Sequence, residues 1–247
     1  MAAPTVLTPV GVGIASAATI TPAKPVIAGG ILADDVVIGI GESVGGQNFP
    51  TIATNGFAHI DSVSPVVQDT NTQLSVVWRR GDFTAHAWGD SVDHNIGAYI
   101  AIRGCKTTGN PWNNVTPTVD ATLDNSATWP TTTTSVADCL ILFLGGWSDD
   151  MGTGALSGGT GLGAFTERID FVSALGNDGA IFCADATKAA AGATGAPVAT
   201  LTGTAMKALM TLALEPPPRP CRSWSWPHPT RAKGESIWRS SRRPVGP

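Results

Sequence analysis

Charge is scarce in this chain. Asp, Glu, Lys and Arg make up 14% of its 247 residues, against about 25% in an average soluble domain. Glu/Lys/Leu stretches of the kind that build surface helices are missing, which argues against a helical bundle. The four cysteines, Cys105, Cys139, Cys183 and Cys221, form no C-x-x-C pair. A structural zinc site needs such local pairs of ligands, and a disulfide framework needs more cysteines in a shorter chain, so neither is expected. No apolar run reaches the roughly 18 residues that cross a bilayer, so no membrane span is expected. Ala15-Ser16-Ala17 imitates a signal cleavage site, but no Lys or Arg precedes it, and Pro4, Pro9, Gly11 and Gly13 break the apolar stretch. A secretory signal is therefore not expected.

What the chain does have is Gly, Ala, Thr and Val in short runs. "VVIGI", "TQLSVVWRR", "FTAHAW", "IGAYIAIRG", "CLILFLGGW", "ERIDFV" and "GAIFCAD" alternate or are continuously apolar, and turn residues separate them. This is strand patterning. "CLILFLGGW" is the most apolar and the best candidate for a central strand. In "TQLSVVWRR", Leu74, Val76 and Trp78 share one face. Residues 105–135 are rich in Thr, Asn and Pro and read as loop, with "TWPTTTT" extended at an edge. "TAMKALMTLALE" has both helical propensity and strand alternation, and "DATKAAAGA" is interrupted by Gly192. Ten to twelve short strands joined by Gly/Pro turns predict an all-β, jelly-roll-like β-sandwich. A chain of this length buries roughly 70% of the surface it exposes when unfolded, so the core needs no staples.

The net charge of −4 hides an asymmetry. Up to Glu215 there are 8 basic and 18 acidic residues; beyond it there are 7 basic and 1 acidic. The division predicts a β-sandwich domain over residues 1–215 and a Pro/Arg/Trp-rich basic tail over residues 216–247. The tail's prolines cannot join a sheet ladder, and its composition cannot build a core. Two readings stay open for it. One is an arm, carrying Trp224, Trp226, Arg242 and Arg243, that docks on an acidic neighbour or on nucleic acid. The other is an extension without a role, from a shifted reading frame.

Reactive chemistry has few places to sit. His86, Asp90, Asp93 and His94 crowd into "HAWGDSVDH". If "FTAHAW" is a strand, His86 lies too far from the turn to join Asp90, Asp93 and His94, and Asp90, Ser91, Asp93 and Asn95 are turn formers. A plain hairpin turn accounts for them better than a metal site. "GTGALSGGTGLG" (152–163) is glycine-rich but lacks the Lys-Ser/Thr of a P-loop, and it reads as a mobile loop. Asp149 and Asp150 beside it fit no EF-hand spacing. No G-x-S-x-G elbow is present. Glu167 and Arg168 face opposite sides of a strand, so each should pair across to another strand or to a neighbouring molecule, while Asp185 should end its strand by bonding loop amides. Trp78 reads as core. Trp112, Trp129 and Trp147 are candidates for exposed indoles that contact a partner or stack on a sugar. No catalytic residue, cofactor or metal is expected.

Several segments occur in an order that resembles a group of bacteriophage virion proteins, the minor tail or structural proteins. "AAPTVLTPVG" and "TITPAKPVIAGGILADDVVIGIG" are similar to that group's opening strands. "LSVVWRRGD", "IGAYIAIRG", "TERIDFV", "CADATKAAAGATGAPVATLTG" and "MTLALEP" follow in sequence, covering residues 2–216. The chain departs from the group at Ala33-Asp34-Asp35, where a Gly-Asp pair is usual, and in its tail. The resemblance implies a β-sandwich without catalytic residues, placed in the tail or decorating the capsid. It also implies contacts with other virion proteins, homo-oligomerisation and assembly in the host cytoplasm. The alternative is a carbohydrate-binding or host-attachment module that recognises a surface glycan through the loop tryptophans. Nucleic acid is expected as a partner only through the basic tail.

Overall fold

The computed structural model describes residues 2–16, 19–44, 55–89, 93–176 and 178–218. The first six strands are β1 (Thr5–Ser16), β2 (Val36–Ser43), β3 (Ala58–His59), β4 (Val66–Gln68), β5 (Thr72–Arg80) and β6 (His94–Arg103). They form one antiparallel sheet in the order β1-β6-β2-β5-β3, with β4 also on β5. The remaining strands are β7 (Trp112–Thr128), β8 (Thr133–Thr134), β9 (Cys139–Trp147), β10 (Thr166–Ser173), β11 (Gly179–Lys188), β12 (Gly192–Ala193) and β13 (Val198–Leu214). Five of these make the second sheet, in the order β10-β11-β9-β13-β7, and β8 pairs with β12. The protein is thus an all-β sandwich, as expected. No helix among the described residues is long and apolar enough to cross a membrane.

Period-two alternation decides which side chains enter the core. Ile96, Ala98, Ile100 and Ile102 of β6 face inward with Val36, Ile38 and Ile40 of β2 and Leu74 and Val76 of β5. Across the gap they meet Leu140, Leu142 and Leu144 of β9, Ile181 and Cys183 of β11, and Met210, Leu212 and Leu214 of β13. Strand β9 is the middle of its sheet, as its apolar run predicts.

Each sheet also buries its outer face. On the first, Trp88 lies across the strands with Tyr99, Phe57 and Phe83 around it. Glycine makes the room: a Cβ at Gly97 would lie 2.4 Å from the Trp88 ring, and one at Gly39 would come within 3.2 Å of it. On the second, Phe143, Trp147, Phe182 and Leu209 are covered by Trp129, Leu156, Leu162 and Phe165 from the connecting loops.

Three local expectations are overturned. Residues 112–128 are not loop but the 17-residue strand β7, because its backbone pairs with β13 while side chains such as Asn114, Thr122 and Asn125 are exposed. "FTAHAW" alternates like a strand, yet among its residues only Trp88 makes a bridge, to Ile20. The glycine-rich segment is not a free loop: Thr153, Ser157 and Leu162 each bridge to a neighbouring segment. The ambiguous "TAMKALMTLALE" is strand, its register fixed by β9 and β7 on either side.

Candidate functional site

The densest polar cluster sits at one end of the sandwich. Strand β2 ends and strand β6 begins there, side by side, with Glu42 opposite Ile96. Glu42 and His94 project inward, 0% and 1% exposed, with Nε2 of the imidazole 2.7 Å from Oε2 of the carboxylate. Thr72 donates its hydroxyl to the other carboxylate oxygen at 2.8 Å. Asp93 approaches Nδ1 of His94 at 3.6 Å. Burial pushes the Glu42 carboxyl up from its usual range, and its contacts with His94 and Thr72 only partly oppose this. Burial pushes His94 down, but the hydrogen bond and charge of Glu42, reinforced by Asp93, outweigh it and raise the imidazole. Both shifts favour the protonated form, and the two groups lie close enough to share a proton.

The facing sheet leaves no space over this pair. A Cβ on Gly179 would lie 2.5 Å from both Glu42 Oε2 and His94 Nε2, and one on Gly146 would lie 2.9 Å from Glu42 Cγ. Two glycines thus roof the carboxylate and imidazole, and a substrate would need the sheets to part. His86 is elsewhere. Its ring packs on Phe57 and its Nδ1 lies 3.3 Å from the Tyr99 hydroxyl, which also accepts the Trp88 indole at 2.6 Å. Tyr99 points to the outer face of the sheet and His94 to the inner one, so the two histidines are separated by the sheet itself. Asp90 lies outside the described residues.

At the same end of the sandwich, where β9 ends and β11 begins, carboxylates of Asp149, Asp150 and Asp178 come within 4.8 Å of one another. Burial raises the Asp149 carboxyl, and the charges of Asp150 and Asp178 add to this. Exposed acidic groups commonly gather this way, and among the described residues no further His, Cys, Asp or Glu joins them.

Strand β13 hides a second ionic group. Lys207 is fully buried beneath β7, whose pairing is irregular between Asp120 and Asp124. The ammonium donates to Asp120 at 3.2 Å, to Asp124 at 2.7 Å and to the Thr122 carbonyl at 3.1 Å. Arg168 pairs with Asp185 across β10 and β11. That bears out the cross-strand reading of Arg168 and corrects that of Asp185, which lies within β11 and holds a guanidinium rather than loop amides. Cys105, Cys139 and Cys183 are buried free thiols, with burial raising Cys105 to about 12 and Cys139 to about 11.

The tryptophan expectation is corrected most sharply. Trp112, Trp129 and Trp147 are 8%, 0% and 0% exposed. Their indole N–H groups donate to Asp61 at 2.7 Å, to the Leu144 carbonyl at 2.9 Å and to the Met151 carbonyl at 2.7 Å. Each has a polar partner inside, which is the condition for burying an indole. Trp112 packs edge-on against Trp78 at 5.1 Å. None of the three offers a face to a sugar. Trp224, Trp226, Arg242 and Arg243 lie outside the described residues. Comparison with protein-family models, with curated proteins and with solved structures finds no match to this chain.

Proposed function

We propose that this protein is a non-enzymatic structural component of a bacteriophage particle, in the tail or on the capsid, where it makes contacts with other virion proteins and with copies of itself. One observation carries the reading: among the described residues, the buried charged groups and both histidines of the "HAWGDSVDH" stretch are taken up by internal contacts. Glu42 faces His94, Lys207 faces Asp120 and Asp124, and Arg168 faces Asp185, while His86 and His94 lie on opposite sides of a sheet. What remains for the outside is a Thr-rich surface with few charges, which loses little solvation when covered by a neighbour. The ordered segment resemblance supports the same class. The glycan-binding alternative rested on Trp112, Trp129 and Trp147, and their burial leaves it without a platform.

Mass spectrometry of purified particles from a phage carrying this gene tests the reading, together with gel filtration of the isolated protein. The expected outcome is a defined copy number in the particle and an oligomer in solution. A stable monomer that is absent from particles overturns it.

A further inference from the structure

The loops that cover the second sheet leave a cleft of about 200 Å³ on its outer face. Phe165, Phe182, Leu156, Ala155 and Ala184 make its apolar lining, and Glu167 stands at its rim. Asp170, further along β10, adds to the negative charge that Glu167 feels. Neither carboxylate has an ion-pair partner among the described residues. Aromatic lining beside unneutralised acid suits a ligand that is both aromatic and basic.

Such a ligand is present in this chain. Beyond Pro218 the sequence runs "RPCRSWSWPHP", placing Arg219, Arg222, Trp224 and Trp226 together in a segment whose surroundings to residue 247 are strongly basic. Strand β13 ends at Leu214, and the chain leaves past Val136, which packs on the same outer cluster as Leu156, Phe165 and Phe182. Exit and cleft therefore share one face. Leu214 is level with Leu140 and Thr187, and Phe182 lies five residues further along β11, two strands over. Strand rise and spacing make that roughly 20 Å. An extended chain covers about 3.3 Å per residue, so Trp224 and Trp226 reach about 20 and 26 Å from Pro218.

We propose that the segment Arg222–Trp226 folds back over its own sandwich. An indole enters the cleft between Phe165 and Phe182, and the neighbouring guanidinium groups face Glu167 and Asp170. The occupant is the chain's own tail, since the reach needs no second copy.

Hydrogen exchange of the full-length protein, read by mass spectrometry, decides it. Residues 153–167 should exchange more slowly in the wild type than in Trp224→Ala/Trp226→Ala by about tenfold. Circular dichroism should not change, because those positions lie beyond the last strand. Glu167→Arg should raise exchange in the same peptides, and adding Arg222→Glu should lower it again. Equal exchange in wild type and tail variant overturns the proposal. So does a difference that grows with protein concentration, because the occupant is then a second molecule.

Discussion

At the scale of single residues, several positions have no freedom to change. Gly97 and Gly179 sit in strands, where a side chain is ordinarily tolerated, yet each faces a group that has taken its space. Gly179→Ala would drive a methyl into Glu42 and His94, and Gly97→Ala would drive one into Trp88. Each should cost about 1–3 kcal/mol, the usual range for overpacking, measured as a shift in the urea midpoint at constant m. Trp129→Ala removes a fully buried indole and the hydrogen bond it donates to the Leu144 carbonyl. A loss of about 3–5 kcal/mol is expected. An intact fold that merely loses ligand binding would contradict the placement. The thiols of Cys105, Cys139 and Cys183 are buried, and for each burial holds the thiolate back. They should react with a thiol reagent only at the rate of unfolding.

Among the elements, β7 and β13 depend on one another through Lys207. A lysine alone in the apolar run "AMKALMTLAL" signals a buried charge needing partners, and Asp120 and Asp124 supply them from the next strand. Replacing both aspartates with Asn leaves an ammonium in the dry interior. Thermal melts should show a clear fall in Tm, and adding Lys207→Met should recover most of it. Strands such as β9 were legible because burial on both faces writes itself as a continuous apolar run. Strand β7 was not, since a half-exposed edge strand of Thr, Asn and Asp has the composition of a loop until β13 supplies its hydrogen bonds. "FTAHAW" shows the opposite case: its alternation serves to lay His86 and Trp88 on Tyr99, and among its residues only Trp88 makes a bridge. The Glu42–His94 pair joins residues 52 apart in sequence, and its one local sign is a glutamate inside "VVIGIGES". Tryptophans amid Thr and Asn looked exposed because polar neighbours in sequence were mistaken for polar neighbours in space.

For the whole molecule, the shared proton of Glu42 and His94 sets a pH response. The imidazole is held above its ordinary 6.5. Its contribution is therefore complete below that value and is lost as pH climbs through the raised one. Glu42, also held up, acts in the same direction. The pair's contribution to unfolding free energy should decline as pH rises above the ordinary values of 4.5 for Glu42 and 6.5 for His94, and Glu42→Gln/His94→Gln should flatten that decline. Equal slopes in the two proteins would refute a shared proton. One further consequence follows from the division of strands, with β1–β6 in one sheet and β7–β13 in the others. On a ribosome, the first sheet can close once Arg103 has emerged to pair with Thr5, but its oily inner side is not fully covered until Leu214 arrives. Synthesis thus passes through a long interval of sticky half-protein, during which a chaperone or a neighbouring nascent chain has its best chance to intervene.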